Sequence, residues 1–477
     1  MADISLPDIW CVMILRKYIG NKEFYKKVFV ITLPIVIQQV ITNFVSLVDN
    51  IMVGQIGTEQ MSGVAIVNQL LFVFNVCVFG GVSGAGIFTA QYFGKGDHKG
   101  VRATFRAKVI IVSIMILLSV GLFVFFDDEL ISLFLHQGEE NLDLNATLGF
   151  GKEYLMIMLL QVPLFAFTQA YAGTLRETGR TVPPMVGGIV AVCANVVLDY
   201  ALIFGVEPLG IPAMGIAGAA IATVAARFCE LLTVVIWTHG HKDINKFIVG
   251  AYKSFRIPKE LFGGILKKGF PLIINEVLWS TGQAVLMQCY SVRGLEAVSA
   301  LNISSTVSNL FYCAYFAFGS AISIIVGQLL GAGEIDRAKD EDRKIIVCAV
   351  SVCLVVGVAM ALCSPAFPQI YNTTDTVKSI ATYCLLISAC MMPFHGFIHT
   401  AYFTLRSGGK TVITFLFDSV YVWGVLIVAA FTLSRFTDMP IVPLYLFVQS
   451  LEIIKCVIGY ILVKKGVWAK NLVEDNL

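Results

Sequence analysis

Twelve apolar runs, each long enough to cross a lipid bilayer, recur along this chain between Val28 and Val463, and that pattern constrains its fold more than anything else in it. A crossing needs about 20 residues at a rise of about 1.5 Å each. Lipid offers no partners for backbone N–H and C=O groups, so runs of this length must be helices that satisfy themselves. The spans read as 28–54, 64–90, 107–126, 149–174, 183–205, 213–238, 265–290, 298–327, 344–366, 377–405, 411–433 and 441–463. Charged residues make up 14% of the chain, against about 25% in a soluble domain, and the mean hydropathy is +0.80. The expected fold class is an all-α integral membrane protein with twelve transmembrane helices.

Lysine and arginine fix the orientation. Of the 34, 28 fall before the first span, after the last, or in and within four residues of the even-numbered connections. Only Lys152, Arg293, Lys378 and Arg435 lie on the other side, and Arg227 and Lys455 lie within spans. Under the positive-inside rule both termini are cytoplasmic, and the acidic stretch Asp127 to Asp143 is outside. The apolar piece Ile9 to Leu15 is too short to span and no small-residue cleavage site follows it, so residues 1–27 read as a cytoplasmic lead-in.

The second half repeats the first. At an offset of 237, Pro34 pairs with Pro271, Gly57 with Gly294, Glu59 with Glu296, Ser62 with Ser299 and Gln91 with Gln328. QYFGKG (91–96) then matches QLLGAG (328–333), and at an offset of 230 TLRETGRT (174–181) matches TLRSGGKT (404–411). Six spans separate the copies, an even number, so both enter the membrane in the same direction. A parallel repeat about an axis along the membrane normal follows, with substrate expected between two lobes as in several secondary transporters. The lobes are two pseudo-symmetric six-helix bundles, 28–238 and 265–463, joined by a cytoplasmic linker at 239–264 and followed by a cytoplasmic tail at 464–477.

A carboxylate at bilayer depth costs at least about 2.5 kcal/mol on insertion scales, so each is a candidate for function. Asp49 lies five residues before Gly54 and Asp199 six before Gly205, in spans that both run outward. Both are therefore roughly 7 to 9 Å inside the outer boundary. Asn195 is one turn deeper than Asp199 on the same face, and Thr223 reaches a similar depth in span six. Two carboxylates, an amide oxygen and a hydroxyl suit a hard cation such as Na⁺, or a proton held between neighbouring carboxylates. A purely structural hydrogen-bonded cluster is the alternative. The position equivalent to Asp49 in the second half is Leu286, so the charge is not a packing requirement common to both copies.

Arg227 with Glu230, and Glu452 with Lys455, are opposite charges three residues apart and read as self-neutralising pairs. Glu276 and Asp418 show no partner within a turn, and His395 and His399 form an i, i+4 pair. These four are candidates for lining a substrate cavity. No third ligand accompanies the histidines, so zinc is not expected. The twelve cysteines, Cys11 to Cys456, fall almost wholly within apolar runs with no CxxC pair, and read as small core residues. Neither a GxxxxGK[ST] loop nor a nucleophile-base grouping is present, which disfavours a primary pump and an enzyme.

LVDNIMVGQIG (47–57), the QYFGKG run, the LRETGRT loop, NVVLDYALIFG (195–205) and GIAGAAIAT (215–223) together resemble the multidrug and toxic compound extrusion (MATE) family across essentially the whole chain. The resemblance implies an antiporter in the cell membrane, with no cofactor and either Na⁺ or H⁺ as coupling ion, expelling amphipathic, cationic organic compounds. It implies a cation site on Asp49, Asn195, Asp199 and Thr223. Membrane lipids and small organic substrates are the expected partners, nucleic acid is not, and the chain is read as a monomer. The NorM-type branch carries an acid ten positions before the Leu-Arg of the second loop, which here is His395, and a glutamate eight residues after the span-seven proline, which here is Trp279. The chain thus resembles the DinF-like branch more than the NorM-type branch. A flippase for lipid-linked precursors, of related architecture, is the alternative, and would require a strongly cationic central cavity.

Overall fold

The computed structural model describes residues 17–54, 58–132, 144–206, 208 and 210–474; the side chains of 45–51, 54 and 58 lie outside the described residues. Helices follow in chain order as α1 (Lys22–Gly54), α2 (Thr58–Gly94), α3 (His98–Phe125), α4 (Leu144–Met158), α5 (Gln161–Glu177), α6 (Val182–Ile203) and α7 (Gly215–Gly240). The second half continues as α8 (Lys259–Ser291), α9 (Leu295–Gly331), α10 (Ile335–Cys363) and α11 (Asp375–Ser407). It ends with α12 (Thr411–Phe436) and α13 (Ile441–Lys464). Ten of these are long and apolar enough to cross a membrane, and α4 and α5, meeting at a 45° bend, make an eleventh. The twelfth is α8, whose 33 residues fall short only because Asn275, Glu276, Gln283 and Gln288 lower its hydropathy. The twelve expected spans are all helical.

Several helices outrun the expected spans. Span nine reads from residue 344, yet α10 begins at Ile335. Its extra turns are polar and held by ion pairs one turn apart, Arg337 to Glu341 at 2.8 Å and Lys344 to Asp340 at 2.6 Å. Hydropathy stops where charge begins, but a helix need not. Inside α12 the segments Leu416–Val420 and Val422–Leu426 are π-helical, an irregularity that often marks a functional site.

The chain forms two compact units. One comprises residues 1–36, 90–97 and 274–477, the other 37–89 and 98–273. In the first, Val28 and Ile31 of α1 share an apolar core with Phe318, Ile322 and Ile325 of α9. In the second, Val67, Leu71 and Phe74 of α2 pack with Val112, Leu155 and Ala220. Both α1 and α8 pass from one unit to the other two residues beyond a proline, after Val36 and Ile273 respectively. Proline removes an intrahelical hydrogen bond and allows a bend at those points.

The repeat has a structural signature within the first unit. A Cβ on Gly94 would overlap the backbone of Gln328, and a Cβ on Gly331 would overlap the backbone of Gln91. These residues are partners at the offset of 237, so the contact between residues 91–94 and 328–331 is reciprocal. Only glycine permits backbones this close.

The linker and tail are pinned, not free. Arg102 Nε donates to Phe247 O at 3.2 Å and Arg106 Nε to Ala251 O at 2.7 Å, holding two short 3₁₀ turns of the linker. Leu472 N donates to Gln91 Oε1 at 2.7 Å, Lys95 Nζ to Val473 O at 2.7 Å, and the tail's Trp468 is fully buried. The eleven cysteines among the described residues are free thiols.

Candidate functional site

Prolines at Pro183 and Pro184 open α6 where their missing N–H groups cost nothing. The buried residues Gly187, Ala191, Asn195, Asp199 and Ile203 recur every four positions, so the two polar ones lie on the packed face. Asn195 Nδ2 donates to Asp199 Oδ2 at 2.8 Å, and both are buried. Along this face runs α7, where Thr223 is half-buried and donates its hydroxyl hydrogen to Ala219 O at 3.0 Å. That direction of donation leaves the oxygen lone pairs available to another group.

Asp49 belongs to α1, and its side chain lies outside the described residues. The register of its helix is described. Gln38 of α1 lies against α6, its Nε2 2.9 Å from where a Cβ on Gly188 would stand. Asp49 is eleven residues beyond Gln38 and Asp199 eleven beyond Gly188. Eleven residues are about three turns, which returns each position to the face it started from. Contact between α1 and α6 is thus described at Gln38 and Gly188, eleven residues before positions 49 and 199.

Arg227 pairs with Glu230 at 2.8 Å, as its spacing indicated. The corresponding reading of Glu452 with Lys455 is corrected. Lys455 Nζ is 3.9 Å from Glu452 but 2.7 Å from Asp418 Oδ1, so the ammonium reaches across to α12 instead of staying on its own helix. Asp418 therefore has a partner that no inspection within one turn could find.

Around that pair four helices contribute polar groups. Asn275 Nδ2 donates to Asp418 Oδ2 at 3.2 Å and to Tyr402 Oη at 3.2 Å, while Ser419 Oγ donates to Asn275 Oδ1 at 2.8 Å. Tyr402 Oη donates in turn to Glu276 Oε1 at 3.4 Å. Asn275 is the hub, and the sequence reading passed it over because a neutral amide beside a glutamate carries no charge signal. His395 and His399 lie in an aromatic layer between α9 and α11. His399 stacks on Tyr315 at 4.4 Å and meets Phe316 edge-on at 4.7 Å, and His395 meets Tyr312 edge-on at 6.0 Å. Their Nδ1 atoms are enclosed without a hydrogen-bond partner among the described residues.

Burial of Lys108 was not anticipated. Lys108, counted from sequence with the cytoplasmic basic residues, is fully buried in α3, bonded to Glu177 and to Thr174 Oγ1 at 3.1 Å. Its pairing ties α3 to the LRETGRT loop.

Residues 34–201 and 271–433 match the model of the MatE family. A protein of Thermotoga maritima named probable multidrug resistance protein NorM is 25% identical over 454 residues, covering 94% of each chain. Multidrug resistance protein MdtK of Pectobacterium atrosepticum is 24% identical over 382 residues, covering 76% of this chain and 78% of that one. A solved structure described as the outward-facing conformation of a multidrug resistance MATE family transporter of the MOP superfamily matches with a TM-score of 0.83 at 16% identity, covering 95% of this chain and 98% of that one. A structure of MATE in the bent conformation matches with a TM-score of 0.82 at 17% identity, covering 95% and 96%. At such identities the solved structures speak for the twelve-helix fold alone. The family match falls in two blocks, one in each repeat, and takes in well over half of the residues: the chain belongs to the MatE family.

Proposed function

We propose that this protein is a secondary antiporter of the cell membrane that expels amphipathic, cationic organic compounds in exchange for Na⁺ or H⁺. The coupling site is Asp49, Asn195, Asp199 and Thr223. The observation that carries this reading is the buried Asn195–Asp199 bond on the packed face of α6, the helix against which Gln38 of α1 lies at Gly188. Two carboxylates at one level repel unless a cation or proton joins them.

Coupling requires that the ion bind the outward- and inward-open states unequally, because equal affinity shifts nothing. A site divided among α1, α6 and α7 supplies that inequality when α1 bends, and Pro34 is where its hydrogen-bond ladder is interrupted. Compounds with a cationic head and an aromatic body suit the second half, where Glu276 remains to attract the charge and Tyr315, Phe316 and His399 offer flat faces. Asp418 drops out of that role because Lys455 already neutralises it.

Both termini and the 239–264 linker are cytoplasmic, and the protein works as a monomer. Relatives named NorM share only about a quarter of their residues with it, so the branch rests on His395 and Trp279, which stand where the NorM-type acids would be. A flippase of lipid-linked precursors is not favoured, since Lys108, Arg227 and Lys455 inside the spans are already paired with carboxylates. The test is efflux of a panel of organic cations from proteoliposomes under separately imposed Na⁺ and H⁺ gradients. Asp49→Asn should abolish gradient-driven efflux while the protein remains folded; full transport by that variant would return the cluster to a structural role.

A further inference from the structure

The ammonium of Lys455 sits in surroundings that would suit a free monovalent cation. Its side chain is 4% exposed, with one carboxylate oxygen at 2.7 Å from Asp418 and another at 3.9 Å from Glu452. The face of Phe417 lies on a further side, its centroid 5.4 Å from Nζ, an arrangement that attracts cations. The carboxylate is held in place independently of the lysine, because Asn275 donates to its other oxygen and Ser419 fixes the orientation of Asn275. Asp418 also lies in the π-helical part of α12, where the widened turn departs from regular backbone geometry. A prepared acidic site exists here, and a side chain fills it.

We propose that Lys455 is a tethered cation that occupies the Asp418 site of the carboxyl-terminal half, so that this half carries no exchangeable coupling ion and Lys455 determines where in the protein ions exchange. A group held in place on its own helix competes intramolecularly, with an advantage that grows as its geometry is fixed. An alkali ion reaching Asp418 would have to displace an ammonium that cannot diffuse away. The inference rests on the reading of the protein as an ion-coupled antiporter, but its test does not depend on transport.

Truncating the lysine should open the site. The purified protein is unfolded by heat in NaCl, KCl or choline chloride at equal ionic strength, with ethylammonium chloride as a detached copy of the lost group. All variants are made in the Asp49→Asn background, which silences the amino-terminal site. Lys455→Ala should gain a melting-temperature rise of at least about 2 °C with Na⁺, K⁺ or ethylammonium over choline, as expected when a ligand binds only the folded state. Adding Asp418→Asn should remove that response, and the background protein alone should show none. Should the alanine variant not fold, Lys455→Ser, whose short side chain leaves room for an ion beside Asp418, is measured the same way. No cation-specific rise in the folded truncation variant, or a rise that survives Asp418→Asn, overturns the proposal. Persistence of the intact protein's cation response in the Asp49→Asn background without a lysine change counts against the amino-terminal coupling site instead, so the two failures are separable.

Discussion

Where the amino-terminal half carries Asp49, the carboxyl-terminal half carries Leu286, buried in an apolar cluster with Tyr421, Val422 and Leu426. Extending the offset of 230 places Val425 opposite Asn195 and Ala429 opposite Asp199. The second half has thus lost the polar set of the first and built another elsewhere, from Asn275, Tyr402, Asp418 and Lys455. In one half a buried carboxylate accepts from a neutral amide at 2.8 Å; in the other it meets an ammonium at 2.7 Å. The scaffold was held more tightly than the sites. Gly94 still meets the backbone of Gln328 and Gly331 that of Gln91, because backbone contact leaves no room for drift, whereas a buried charge needs only some partner within reach.

The sharpest way to break the comparison is to remove one charge from each half. Lys455→Met leaves Asp418 buried without its counter-charge and should cost about 3–5 kcal/mol, read as a large fall in melting temperature in choline chloride. Asp418→Asn added to it should recover most of that loss. Additive losses would mean that the pair is not one unit. In the amino-terminal half, Asp199→Asn keeps side-chain size and the chance to bond Asn195. It should therefore unfold at nearly the same temperature while gradient-driven efflux falls at least about tenfold, the equivalent of about 1.4 kcal/mol of ion binding. If Asp199→Asn unfolds as readily as Lys455→Met and transports normally while folded, the halves do not differ as argued.

These predictions depend on features that the sequence revealed unevenly. Hydropathy located all twelve helices, since a bilayer imposes length and polarity together, but it stopped at the first charges and so missed the polar start of α10 at Ile335. The repeat was legible because Gly, Pro and the TLR loop are held by backbone geometry. Asn195 and Asp199 were legible because they are one turn apart on one helix. Lys455 was misassigned because its true partner is 37 residues away on another helix, and spacing arguments extend only about one turn. The same limit hid the Lys108–Glu177 pair, 69 residues apart.

The smallest expected effect sharpens the comparison most finely, because it asks whether the amino-terminal set binds an ion with its oxygens or merely contains them. Thr223 gives its hydrogen to Ala219 O, a local bond that slightly bends helices but adds little stability. Thr233, three turns farther along α7, makes the same bond to Cys229 O at 2.8 Å and is also half-buried. Thr233→Ala therefore controls for the loss of such a bond. If Thr223 supplies a lone pair to the coupling ion, Thr223→Ala should weaken apparent ion affinity by about 2- to 12-fold, the range for one hydrogen-bond-like contact of about 0.5–1.5 kcal/mol. Maximal efflux at saturating ion should change little, because both carboxylates remain. Thr223→Ser should restore the affinity and Thr233→Ala should leave it unaltered, each measured as the ion concentration giving half-maximal efflux. Equal shifts in the two alanine variants would assign the effect to helix geometry and remove Thr223 from the site, leaving the coupling to Asp49, Asn195 and Asp199.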